Sequence, residues 1–181
     1  IARSFQNIEL FRHMTVLDNL LSGAHVHMHS SLFSGLIYWG AAQREHIQFR
    51  RFVEDIIDLL EIEAIRYNTV GSLSYGLQKR VEMGRALAMR PSLLLLDEPM
   101  AGMNVEEKQD MCRFVLDVND EFGTTIVLVS HEVPSILRIA DFCVYLDSDT
   151  GRMGAYAPPK DFLSPEAHAK AHAFFTLARI S

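Results

Sequence analysis

The chain has 181 residues, enough for one domain with a sizeable core. Its composition, 49% hydrophobic and 22% charged, is that of an ordinary globular protein. The net charge of −6 argues against a nucleic-acid partner, which would meet a basic face. Cys112 and Cys143 are too few and too widely spaced for a disulfide framework or a zinc site, and read as ordinary thiols in a reducing compartment. No run approaches the roughly 18 apolar residues of a membrane span. The stretch Ile1–Met14 also lacks the apolar core of a signal peptide. The expectation is a cytoplasmic chain. It begins at Ile1 rather than Met, which points to sequence lost upstream.

In chain order, Ile1–Phe5 reads as the end of a strand. Thr15 and Asp18 form a capping-box-like start to a helix that runs to about His25. Residues 30–41 are apolar and irregular, broken by Gly35 and Gly40. From Ala42 to Leu60, Phe49, Phe52, Val53, Ile56 and Leu60 recur at helical spacing and predict one buried face. Ser74 caps a helix from Tyr75 to about Met89, closed by Pro91. Leu93–Leu96 is wholly apolar, as a parallel strand covered on both faces would be. Val105–Phe122 predicts a helix ended by Gly123, with Met111, Phe114, Val115, Val118 and Phe122 inward. Thr124–Val129 is a β-branched strand, Val133–Ala140 a short helix and Phe142–Leu146 another strand. Asp147–Gly151 is a turn, Arg152–Tyr156 a last short strand, and the tail from Pro165 is helical. Strands separated by single helices imply a parallel sheet with right-handed crossovers, whose ligands lie at the carboxyl ends of the strands.

Chemistry gathers at those ends. The strand 93–96 leads into Asp97-Glu98-Pro99. Asp97 suits hydrated Mg²⁺, and Glu98 suits a water that attacks a γ-phosphate. The next strand leads into Ser130-His131-Glu132, which would set His131 beside Glu98, within reach of a γ-phosphate oxygen. The segment Leu73-Ser74-Tyr75-Gly76-Leu77-Gln78 opens a helix whose free N–H groups and positive dipole end favour an anion, with Gly76 allowing close backbone approach.

Residues 73–99, LSYGLQKRVEMGRALAMRPSLLLLDEP, closely resemble the signature motif, following helix and Walker B strand of ABC-type ATPases. Other marks fall in family order. Gln6 in SFQN resembles the Q-loop glutamine, Met100–Asn104 takes the D-loop position, and His131 matches the switch histidine. The resemblance runs from Ile1 to about Tyr156. It implies an α/β fold, a P-loop NTPase-like (RecA-like) parallel sheet core with an inserted helical subdomain, incomplete at the N-terminus. The implied division is 1–8 for the end of the Q-loop strand, 9–88 for the helical subdomain with the signature, 89–160 for the ATPase core and 161–181 for a helical tail.

By position, the resemblance implies that Gln6 and Asp97 serve Mg²⁺ and that Glu98 is the catalytic carboxylate. His131 would contact the γ-phosphate and share in catalysis. Ser74, Tyr75 and Gly76 would bind ATP held by an opposing subunit. The implied partners are integral-membrane permease subunits, a second ATP-binding subunit in a homo- or heterodimer and, indirectly, a substrate-binding protein. The implied location is the inner face of the plasma membrane. FQNIELFRHMTVLDNLL, SSLFSGL, LSYG and AGMN resemble the ATP-binding subunits of branched-chain amino-acid importers, with urea or amide importers and lipopolysaccharide-export ATPases as relatives. Departures are Leu77 where Gln or Asp is common, Asn104 for the D-loop Asp, and Glu132 after the switch histidine. The largest is the phosphate-binding loop G-x-x-x-x-G-K-[ST]: no glycine here is followed by lysine. The expectation is an ATPase in the complete protein, with the loop before Ile1, and a chain that is inactive as it stands and leaves apolar sheet surface open.

Three features read as ordinary structure: His25, His27 and His29 without a local carboxylate or thiol, the apolar stretch Leu32–Trp39 as subdomain core, and the methionines 83, 89, 100, 103 and 111 as packing. DNA-repair ABC ATPases insert a long coiled coil between Q-loop and signature, and no sustained heptads occur between Gln6 and Ser74. Ribosome-acting relatives carry two such domains in one chain. A non-catalytic module without its own phosphate loop is the remaining alternative, against which Glu98 and His131 both argue.

Overall fold

A computed structural model describes residues 1–4, 10–24 and 39–177. Gln6, the three alternating histidines and the apolar stretch 32–38 lie outside them, with the rest of 25–38, as do residues 178–181. The chain divides into two compact units, residues 1–129 and 130–181. Each is described by itself.

The first unit opens with strand β1 (Ala2–Ser4), followed by helix α1 (Val16–Ala24) and helix α2 (Trp39–Leu59). Helix α3 (Tyr75–Ala88) leads into strand β2 (Leu93–Asp97), helix α4 (Val105–Phe122) and strand β3 (Thr125–Val129). The strands form a parallel sheet in the order β1-β2-β3, with Ala2 opposite Leu94 and Leu94 opposite Ile126. The helical stretch from α1 to α3 is thus inserted between β1 and β2, which pair directly. The central position of β2 explains its leucines: Leu94 and Leu96 are fully buried.

Local sequence sets the helix ends. Thr15 Oγ1 accepts from the Asp18 N–H at 3.1 Å and donates to the Asp18 carboxylate at 2.7 Å, holding the first turn of α1 as the sequence predicts. Thr15 also bridges Thr69 in antiparallel fashion, joining the start of α1 to the loop before α3. Gly123 ends α4 in the left-handed conformation, φ 60°.

The core of this unit packs α1, α2 and α3 together and continues under the sheet through α4. Leu20, Ile56, Ile57 and Leu60 are fully buried, each contributing about 1.5–3 kcal/mol through removal from water. In α4, Met111, Phe114, Val115 and Val118 turn inward as predicted, with Cys112 beside them, while Phe122 is half-buried. Phe122 meets the half-buried Phe52 edge to face at 5.4 Å. The Arg90 guanidinium lies over Phe49 at 4.8 Å and Phe52 at 4.4 Å. Met83, Met100, Met103 and Met111 are buried, and Met89 is half-buried, so these methionines pack.

The second unit contains helix α5 (Val133–Ile139), strand β4 (Cys143–Asp147), strand β5 (Arg152–Ala157) and helix α6 (Ala169–Leu177). The sequence places a turn, not a helix, between these two strands, and their pairing differs from that of the first unit. β4 and β5 form an antiparallel hairpin with Val144 opposite Tyr156. The physical reason is the short turn 147–151, because parallel pairing needs a crossover of a dozen residues or more. One face of the hairpin packs, through Cys143, Tyr145, Ala155 and Ala157, on a core of Val133, Ile136, Phe162, Ala171 and Phe175. Burial raises the Cys143 thiol above its ordinary pKa. The other face leaves Phe142, Val144, Leu146, Met153 and Tyr156 exposed. Lys170 on α6 reaches Asp147 at 2.9 Å and Asp149 at 2.6 Å, tying the hairpin turn to the C-terminal helix.

Among the described residues, no helix is long and apolar enough to cross a membrane.

Candidate functional site at the carboxyl edge of the sheet

The site begins where β2 ends. Asp97 closes the strand opposite Val129, the last residue of β3. The Glu98 N–H donates to the Val129 carbonyl at 2.9 Å, and the Glu98 carbonyl accepts from the Ala101 N–H at 3.1 Å. Between these bonds Glu98 adopts φ 47°, a left-handed conformation that costs a non-glycine residue about 1–2 kcal/mol. Both Asp97 and Glu98 are half-buried. Strain of this kind persists only where surrounding bonds overdetermine it, and it concentrates at sites that do chemistry.

Beyond Glu98 the chain makes two tight turns, the second closed by the Met103 N–H on the Met100 carbonyl at 3.3 Å. Gly102 has φ 75°, and a Cβ there would meet the Tyr75 ring at 3.3 Å. Met100 and Met103 are buried on either side of it. Asn104 then caps α4. Its Oδ1 accepts from the Glu107 N–H at 2.9 Å, while the Glu107 carboxylate accepts from the Asn104 N–H at 3.0 Å. This reciprocal capping box was missed in the sequence, although Asn-x-x-Glu before an amphipathic run announces it.

The start of α3 lies against that junction. Ser74 is the N-cap, its hydroxyl accepting from the Leu77 N–H at 3.4 Å, and Gln78 adds a bond from Nε2 to the Leu73 carbonyl at 2.8 Å. Ser74 and Tyr75 are exposed, but Gly76 is buried. A Cβ on Gly76 would lie 2.3 Å from Glu107 Oε1. The glycine therefore has a packing reason of its own, besides any closeness to an anion. One turn on, Arg80 holds Asp110 at 2.6 Å and lies over Phe114 at 4.8 Å. Arg113 reaches Glu61 at 2.7 Å and Asp110 at 3.5 Å. The hydrogen bond from Arg113 holds the Glu61 carboxyl below its ordinary pKa. Inside α3, Lys79 and Glu82 are both buried and pair at 3.2 Å. A buried pair of this kind costs most when one partner alone is removed.

The structure thus brings Tyr75 to the loop that follows Asp97 and Glu98, and Gly76 to the first turn of α4, with Ser74 one residue before them. His131 is exposed, two residues beyond the end of β3, in the second unit. Gln6 lies outside the described residues. Among the described residues, no cluster of three or more His, Cys, Asp or Glu side chains makes a self-sufficient metal cage. A carboxylate at a strand end still fits Mg²⁺, which keeps several waters and relies on one or two carboxylates plus phosphate oxygens.

The ABC transporter family profile matches residues 1–101. The chain belongs to the ABC transporter family. The ATP-binding protein LivG of high-affinity branched-chain amino acid transport from Escherichia coli (strain K12) is 35% identical over 144 residues, which are 78% of this chain and 55% of LivG. The sulfate/thiosulfate import ATP-binding protein CysA of Bradyrhizobium diazoefficiens is 29% identical over 170 residues, 94% of this chain and 46% of CysA. The chain spans about half the length of these curated relatives. Among solved structures, the ADP conformation of MJ1267, an ATP-binding cassette of an ABC transporter, matches with a TM-score of 0.72 and 26% identity over 95% of this chain and 67% of MJ1267. The ABC cassette fold, that of the P-loop NTPases, is the fold of this chain.

Proposed function

We propose that this chain is part of an ATP-binding and hydrolysing subunit that energises an ABC importer, with branched-chain amino acids as the cargo class. The observation that carries the reading is the Asp97–Glu98 pair. Two carboxylates stand at the carboxyl edge of the central strand of a parallel sheet, the second held in a strained conformation by bonds on both sides. Ligands of open parallel sheets bind at that edge.

A water attacking a γ-phosphate needs a fixed acceptor beside it, and Glu98 provides one on a backbone that cannot swing away. Asp97 and Gln6 would hold Mg²⁺, which when bound offsets charge on the phosphate oxygens. His131 would contact the γ-phosphate from its place after β3. Ser74 and Gly76 would offer the positive end of α3 to an ATP held by a second subunit, homomeric or heteromeric. The 181 residues contain no G-x-x-x-x-G-K-[ST] loop. The other phosphate contacts must therefore come from outside them, and these residues alone would be inactive. Integral-membrane permeases would be the direct partners, at the inner face of the plasma membrane, with a substrate-binding protein acting through them. The four-part division at residues 8, 88 and 160 belongs to this reading. The cargo class rests on the likeness to LivG, because a transport ATPase does not itself touch the cargo.

The missing phosphate loop favours a second reading, a non-catalytic partner that lends its signature face to another subunit's ATP. The two readings separate in one experiment. The complete protein is reconstituted with its permease, and ATP turnover and branched-chain amino acid uptake are measured beside the Glu98→Gln variant. Turnover that falls with ATP retained supports the catalytic reading, and unchanged turnover refutes the role of Glu98. Uptake that does not follow ATP overturns the cargo class.

A further inference from the structure

We propose that Tyr75 is a positioning residue: its ring braces the turn at Gly102 and, through that turn, the backbone of Glu98. The inference rests on the catalytic reading of Glu98 and moves Tyr75 from a nucleotide contact to a support of the loop behind the acid pair.

The path is short and continuous. A Cβ on Gly102 would meet three atoms of the Tyr75 ring, Cε1 at 3.3 Å, Cδ1 at 3.7 Å and Cζ at 3.9 Å, so the ring stands on the side of Gly102 from which a side chain would project. Gly102 is at φ 75°, the left-handed reversal that ends the pair of turns starting at Glu98. Those turns supply the Ala101 N–H that holds the Glu98 carbonyl. If the Gly102 reversal relaxes, that bond loosens, and Glu98 loses one of the two backbone bonds that flank its strained conformation.

The ring is itself fixed from a second side. Lys79, buried one turn along α3 and paired with Glu82, places its ammonium 5.9 Å from the ring centroid. The neighbouring contact of Gly76 with Glu107 pins the first turn of α3 to the capping box of α4. The ring is thus carried by a rigid platform while remaining 44% exposed. Exposure means that removing it takes little from the core. A large loss of turnover on its removal would therefore reflect position rather than folding.

The test uses the complete protein in its permease complex, with Tyr75→Ala and Tyr75→Phe. Tyr75→Ala is expected to lower kcat about tenfold while KM for ATP stays within about twofold, the pattern of a group acting only on the reacting geometry. Tyr75→Phe keeps the ring and should restore parent values. Amide hydrogen exchange over residues 99–104 should speed up in Tyr75→Ala alone, with exchange in α2 unchanged as the control for folding. A raised KM with unchanged kcat would overturn the proposal in favour of a nucleotide contact. Unchanged kcat with unchanged exchange would overturn it outright. A parent complex without turnover would refute the catalytic reading instead, and the exchange measurement would still decide whether the ring braces the loop.

Discussion

The two halves of the candidate site are built in opposite ways. The start of α3 is relaxed: Ser74 caps it from an extended conformation and Gln78 secures the preceding carbonyl. The end of β2 is strained: Glu98 is held at φ 47° between a bond from its own N–H to the Val129 carbonyl and one from the Ala101 N–H to its carbonyl. A capped helix end presents a fixed anion-binding surface at little conformational cost. A strained carboxylate gains a fixed direction at the expense of stability. The relaxed half suits binding, and the strained half suits chemistry.

The strained half should show the largest effect on activity. Glu98→Gln in the complete protein is expected to cut ATP turnover by about 10²–10⁴-fold, the usual range for loss of a general base, with ATP held in a closed dimer detected by size exclusion. The relaxed half should act across the interface. Ser74→Arg is expected to stop turnover at the opposing site while monomer ATP binding, followed by calorimetry, stays intact. An equal fall in monomer binding would remove the division between the halves.

Stability sharpens the same contrast. Glu98→Gly relieves the left-handed strain and should raise the unfolding free energy by about 0.5–1 kcal/mol, the gain left after the entropy that glycine adds to the unfolded chain. Gly76→Ala should lower it by about 1 kcal/mol or more, since the new methyl group displaces Glu107 and breaks the capping box of α4. Denaturant unfolding checks both signs. If the two variants moved the same way, strain would not distinguish the halves.

The smallest effect lies far from the site. Lys170→Met removes a clamp that is half-exposed on the lysine side, so water screens it. Hydrogen bonds from Lys170 first, and then from the Asp149 backbone, hold the Asp147 carboxyl below its ordinary pKa. Bonds to Asp149 and Asp147 raise the Lys170 pKa. The depressed carboxylate contributes stability above its unfolded pKa, and that stability is lost as pH falls through its lowered folded value. The raised lysine contributes below its unfolded pKa and loses its part as pH rises through the folded value. The difference between parent and Lys170→Met should therefore be present at neutral pH and vanish in acid. Thermal melts across that range check it, and a difference that grows in acid would contradict the pairing.

Most of the fold was legible in the sequence because it depends on local patterns. The 3.6-residue spacing of Phe49, Val53, Ile56 and Leu60 announces a buried helical face. Ser74 before an apolar-patterned run announces a cap, and four leucines in a row announce a central strand. The placement of the acid pair at a strand end and of Ser74 at a helix start was legible for the same reason, each lying next to an element with a clear end. The turn at 147–151 was legible too, but the antiparallel pairing and register of the strands on either side were left to the structure, because periodicity does not carry pairing.

By itself, the sequence determined the order of helices and strands, their caps, the family resemblance and the residue types available for phosphate chemistry. These follow from side-chain size, polarity and hydrogen-bonding capacity within a few positions of one another. Only the tertiary structure decided that Glu98 is left-handed, that Gly76 makes room for Glu107 and that the Tyr75 ring lies against Gly102. Each of those facts depends on atoms brought together by packing from separate stretches of the chain. Close packing leaves no spare volume at such meetings, so their geometry is set by the partner as much as by the residue itself.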